Sequence, residues 1–134
     1  MAAQKPSEID ELNEIARAIV ADGRGILAAD ESSGTIKKRF DSIDVESTEE
    51  TRRAYRELLF TTGGVEEYIS GVILYDETIR QKTADGTPFP NLLASKGIIP
   101  GIKVDIGAKP LAHAPGETVT EGLDGLRERL AEYQ

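Results

Sequence analysis

Gly25-Ile-Leu-Ala-Ala-Asp-Glu-Ser-Ser-Gly-Thr-Ile-Lys-Lys-Arg39 passes from a wholly apolar run to a dense polar one. Residues 26 to 29 carry no polar side chain. Asp30 and Glu31 follow at once, then hydroxyls at Ser32, Ser33 and Thr35, then Lys37, Lys38 and Arg39. A short apolar run bounded by turn-forming residues reads as a buried strand. A strand that ends in a carboxylate and an anion-binding turn is how α/β enzymes build their sites.

The flanking sequence alternates helix and strand. Ile9, Leu12, Ile15, Ala16, Ile19 and Val20 recur at helical spacing, so residues 7–22 are expected to be a helix. Ser7 is placed to cap it, with Asp10 three residues on, and Gly23 suits its C-terminal exit. The first strand is expected at 25–30 and a short helical turn at 34–40. A second long helix is expected at 47–60, with Ser47 and Glu50 as a capping box. Its apolar stripe would be Ala54, Tyr55, Leu58 and Leu59, and Thr62-Gly63-Gly64 would stop it.

Residues 69–75 read as a second strand, where Gly71 marks close packing or a bulge. A short helix is expected at 91–96 and a third strand at 98–105. The Gly- and Pro-punctuated stretch from Gly107 to Gly116 reads as a loop, with 117–120 starting the last helix. That helix carries Leu123, Leu126, Leu130 and Tyr133 as its stripe. The alternation predicts an α/β fold with a parallel sheet, laid out as one domain over 1–134. At this level a small open sheet and part of a barrel look alike.

Composition narrows the function. The net charge of −8 argues against nucleic acid and anionic membrane as general partners. The absence of Cys excludes disulfides, thiol nucleophiles and Cys-ligated metals, and a single His excludes a His-rich metal site. No stretch approaches the ~20 apolar residues of a membrane-spanning helix. Glu8, Asp10, Glu11 and Glu14 are wrong for a transit peptide, so a cytoplasmic protein is expected.

The opening stretch closely resembles the signature of the Schiff-base, or class I, fructose-1,6-bisphosphate aldolases, departing only at Ser33, where that family usually has Thr. Further agreement lies in Ser47-Thr-Glu-Glu-Thr-Arg-Arg53, Gly71-Val-Ile-Leu74, Gln81-Lys-Thr-Ala-Asp-Gly86, Gly101-Ile-Lys-Val-Asp105 and Glu121-Gly-Leu-Asp-Gly-Leu126. The resemblance decides for the barrel. It implies the N-terminal part of a (β/α)8 TIM barrel, about three strand-helix units preceded by an extra helix. It also implies reversible cleavage of fructose 1,6-bisphosphate through an imine, with no metal or other cofactor. A homotetrameric full-length parent is the family's usual assembly.

Each candidate residue has a chemical and a plainer reading. Asp30, at a strand's C-terminal end, reads as catalytic in a barrel, but Asp also caps turns. The resemblance favours catalysis and implies that Asp30 borders the imine and assists proton handling. On that alternation, Ile26 and Ala28 share the face of Asp30, while Leu27 and Ala29 face the helices. Ser32, Thr35, Lys38 and Arg39 fit a phosphate cradle, or else a solvated basic turn. The resemblance places Ser32, Thr35 and Arg39 near a substrate phosphate, with Lys38 adding to the positive field. Glu31 reads as structural and Lys37 as surface.

Lys103 alternates with Asp105 inside an apolar run. Residues alone would nominate it as an amine nucleophile or as half of an internal ion pair. The resemblance argues against the nucleophile and implies a contact with the substrate's hydroxyls or phosphate. The family's imine-forming lysine, acid/base glutamate and second lysine are expected beyond residue 134. Two functions therefore stand: the N-terminal portion of such an aldolase, and a non-catalytic module that binds sugar phosphates or complements another fragment.

Overall fold

The computed structural model describes residues 7–134. The expected single domain over 1–134 includes residues 1–6, which lie outside that range. Contacts group the chain into two units, Met1–Ile102 and Lys103–Gln134.

The first unit is built on three parallel strands in the order β1-β2-β3. These are β1 (Gly25–Ala29), β2 (Ile69–Leu74) and β3 (Ile99–Ile102). Helices α1 (Glu8–Ile19), α2 (Ser33–Asp41), α3 (Glu49–Thr61), α4 (Val65–Tyr68), α5 (Asp76–Ile79) and α6 (Phe89–Ser95) precede or connect them. Parallel neighbours need such crossovers, which is why strand and helix alternate here.

One face of the sheet carries the core. Ala29, Phe60, Val72, Leu74, Phe89, Leu93 and Ile98 form a buried cluster, with Leu27 packed against it. Phe60 and Phe89 meet edge to face at 5.2 Å between ring centres. Burying one such ring stabilises by about 1.5–3 kcal/mol. On the other face Ile26 is 46% exposed and Ala28 is also exposed. The alternation expected from the sequence holds along β1.

β2 contains an irregularity. Gly25 pairs with Ile69 but Ile26 pairs with Gly71, so Ser70 is the extra residue of a bulge. Gly71 also has the predicted close approach, to Ile19 at the end of α1.

Local chemistry sets the helix ends. Ser7 caps α1 in a reciprocal pair with Asp10. The cap of α3 is Thr48, paired with Thr51, and not the expected Ser47 and Glu50. Ser47 is occupied otherwise: its hydroxyl and carbonyl oxygens each accept from Arg52 Nη1 at 3.2 Å. The buried face of α3 is also shifted. Arg56 and Phe60 are buried and Tyr55 and Leu59 half-buried, whereas Ala54 and Leu58 are exposed. α6 begins two residues earlier than the sequence suggested, with Pro at the second helical position.

In the second unit, β4 (Gly107–Pro110) and β5 (Thr118–Glu121) pair antiparallel, and α7 (Leu126–Tyr133) follows. The sequence reading had a loop at the first and a helix start at the second. Thr118, Val119 and Thr120 are β-branched residues that suit a strand, and the Gly and Pro residues mark the hairpin's turn. The third strand is likewise shorter than expected. β3 ends at Ile102, so Lys103 and Asp105 follow the strand and do not lie within it. Asp105 accepts the N–H of Gly107 at 2.9 Å and turns the chain, an Asx-type turn that ends extension.

Candidate functional site

Asp30 follows directly on β1 and is half-buried. α2 starts three residues on, with Ser32 as its N-cap residue. The Ser32 hydroxyl lies 3.2 Å from that of Thr35. Ser32, Thr35 and Arg39 recur at helical spacing on one side of α2, and Lys38 and Arg39 are exposed in its last turn. The structure therefore brings five of the predicted residues to one strand end and the helix that follows it: Asp30, Ser32, Thr35, Lys38 and Arg39.

Arg39 is held along one edge. Its Nη1 donates to Glu31 and lies 3.5 Å from the Tyr55 hydroxyl. The Glu31 carboxylate beside it raises the guanidinium above its ordinary value, so Arg39 stays charged. Its Nε and Nη2 have no partner among the described residues. A free guanidinium edge is a planar two-pronged donor suited to phosphate oxygens. Lys37 pairs with Asp41 one turn on, as a surface residue does.

Glu31 has a second partner. Its other carboxylate oxygen accepts from Arg56 Nη2 at 3.1 Å. Arg56 is 1% exposed, and its Nε and Nη2 donate to the carbonyls of Ala29 and Glu31, each at 2.9 Å. Burial pulls this guanidinium below its usual value, and Glu31 pulls it back. A charge this buried needs such acceptors. Sequence reasoning missed Arg56. The available signal was an arginine one helical turn before Phe60, on the face that an amphipathic helix turns inward.

Neighbouring ion pairs fix the surrounding helices. Glu77, the second residue of α5, takes Arg52 in a two-pronged contact at 2.8 and 2.6 Å. Glu57 accepts from Arg53 at 2.5 Å and from the Ala84 N–H at 2.8 Å. Those two donors, the Ala84 N–H first, hold its carboxyl below the usual range.

Lys103 belongs to the second unit, where its ammonium pairs with the Asp105 carboxylate. That partner and the Gly107 N–H keep the Asp105 carboxyl below its ordinary value. This is the ion pair that the residues alone allowed. Among the described residues no helix is long and apolar enough to cross a membrane.

The parallel strands, with a carboxylate at the end of β1 and the hydroxyls and guanidinium of α2 beside it, define an α/β protein with its polar side chains gathered at one strand end. A sequence model of the family "Fructose-bisphosphate aldolase class-I" matches residues 11–134. The "probable fructose-bisphosphate aldolase class 1" of Xanthomonas campestris pv. campestris is 66% identical over 125 residues, 93% of this chain and 37% of that protein. The cytoplasmic isozyme of fructose-bisphosphate aldolase from Spinacia oleracea is 56% identical over 133 residues, 99% of this chain and 37% of that one. The solved fructose-bisphosphate aldolase of Plasmodium falciparum, in complex with TRAP and a small-molecule inhibitor, superposes with a TM-score of 0.90. It is 52% identical, over 96% of this chain and 37% of that one. The chain belongs to the class I fructose-bisphosphate aldolases, and it spans 37% of the length of these relatives.

Proposed function

We propose that this chain supplies part of the active site of an aldolase that reversibly cleaves fructose 1,6-bisphosphate to dihydroxyacetone phosphate and glyceraldehyde 3-phosphate. Asp30 is the catalytic carboxylate and assists proton transfer as the carbon–carbon bond breaks. Ser32 and Thr35 offer hydroxyls to a substrate phosphate. Arg39 offers its unoccupied edge and Lys38 its field. Lys103 contacts substrate once its pairing with Asp105 is shared or exchanged. The imine-forming lysine comes from a strand later than those present here, and the chemistry proceeds without a metal.

In this reading the described elements are the N-terminal helix and first strand-helix units of one TIM barrel. The full-length enzyme works in the cytoplasm as a homotetramer. The naming of the spinach relative supports the first of these two statements.

One observation carries the functional reading. Asp30 follows the C-terminal end of a parallel strand, and α2 then presents hydroxyls and a half-free guanidinium on one side. Catalytic groups in barrels sit at that end of the strands.

The test is substrate discrimination in a full-length aldolase carrying this segment. Arg39→Ala should raise KM for the phosphorylated substrate about 10- to 100-fold, as expected when a charge-assisted contact is lost. A substrate lacking the contacted phosphate should change by less than about twofold on the same scale. Equal losses for both substrates would make Arg39 structural and contradict the reading.

A further inference from the structure

The main chain on both sides of Asp30 is fastened to one buried side chain. Arg56 donates from Nε to the carbonyl of Ala29, the residue before Asp30, and from Nη2 to the carbonyl of Glu31, the residue after it. Both bonds are 2.9 Å. The same Nη2 reaches the Glu31 carboxylate at 3.1 Å, and the other oxygen of that carboxylate holds Nη1 of Arg39. One continuous polar chain thus runs from the peptide groups around Asp30 to the guanidinium on α2.

We propose that Arg56 and Glu31 are positioning residues: Arg56 fixes the backbone that aims Asp30, and Glu31, by holding Nη1, ties Arg39 to the same frame and leaves its other edge free. The proposal rests on the roles given above to Asp30 and Arg39.

The geometry favours positioning over simple packing. Any buried guanidinium needs acceptors, but the two carbonyls that Arg56 takes bracket one residue, Asp30. Arginine suits the task because its planar fork spans two acceptors with little loss of freedom. Lysine in its place keeps the charge but cannot span both carbonyls in fixed geometry. Glu31 fits its role by having one oxygen for each arginine. It occupies only Nη1 of Arg39, so the opposite edge stays open to a ligand. Groups that act at a reacting centre must be held closely, and small displacements cost about 100-fold in rate.

The experiment uses full-length aldolase carrying this segment, with fructose 1,6-bisphosphate as substrate. Three single variants are compared, with circular dichroism and melting temperature alongside kinetics. Asp30→Asn comes first: a kcat near that of the parent would overturn the roles assumed for the site, and the proposal with them. With Asp30 established, Arg56→Lys should lower kcat by about tenfold or more and leave KM nearly unchanged. Glu31→Gln, which keeps an acceptor for Arg56 but loses its charge, should show the opposite split. Its KM should rise about fivefold or more, exceeding any fall in kcat. A general structural role would lower stability without separating kcat from KM in opposite senses. Parent-like kinetics in both variants, or the same split in both, would overturn the proposal while leaving the role of Asp30 intact. Should Arg56→Lys fail to fold, Glu31→Gln decides, and an unchanged KM for the bisphosphate overturns the proposal.

Discussion

Ile19 packs where Gly71 has no side chain. A Cβ at position 71 would lie 2.8 Å from both Cγ1 and Cδ1 of Ile19. The preceding residue grips the same point, since the Ser70 hydroxyl donates to the Ile19 carbonyl. Two successive residues of β2, one of them the bulge residue, therefore fasten the end of α1. The rest of that helix has little other anchorage: Ile9, Leu12 and Ile15 are exposed.

This relationship predicts that Gly71→Ala loosens α1 and leaves the sheet in place. Overpacking of this kind costs about 1–3 kcal/mol. Trypsin cleavage after Arg17 and Arg24 should accelerate, while amide protection in β1 and β2 stays near that of the parent. Unchanged cleavage would mean that Ile19 swings aside without cost.

The ion pair of Lys103 and Asp105 predicts a pH dependence in the second unit. The ammonium and the Gly107 N–H hold the folded Asp105 carboxyl below its ordinary value of 3.8. A carboxyl with a depressed folded value adds stability above its unfolded value and loses it as pH falls through the folded one. The turn at 105–107 should therefore be intact at neutral pH and loosen only below about pH 4. Carboxyl carbon NMR of Asp105 reads this directly. Lys103→Met should move its titration towards the ordinary range, and no movement would show that the backbone donor alone sets it.

Much of this architecture was legible in the sequence because local chemistry and tertiary packing agree there. The apolar run from Ile26 to Ala29 read as a strand and Ser7 with Asp10 as a helix start, and both elements form there, the strand with one face covered. Gly71 announced a close approach. The failures came where a distant partner overrode a local signal. Ser47 looked like a cap, but Arg52 takes its oxygens and the cap passes to Thr48. The apparent stripe of α3 included Leu58, which is exposed, and omitted Arg56, whose burial depends on two carbonyls remote in sequence. The hairpin of β4 and β5 was hidden because each strand is only four residues long and almost wholly exposed, so neither carries an alternation of buried and exposed residues.

The candidate site divides in the same way. Asp30, Ser32, Thr35, Lys38 and Arg39 were readable because one strand and the helix after it carry them all. The arrangement that holds Arg39 was not, since it joins residues on either side of β1's end to α3. Lys103 looked like a strand residue until the turn at Asp105 showed where extension stops.

The central claim is that Asp30 acts in the aldol chemistry and is not merely a cap after β1. The most direct measurement is steady-state cleavage of fructose 1,6-bisphosphate by full-length aldolase carrying this segment, with and without Asp30→Ala. A group that moves a proton in the transition state contributes about 10²–10⁴-fold, so kcat should fall by that factor with KM changed little. A variant that folds like the parent and keeps its kcat would contradict the account.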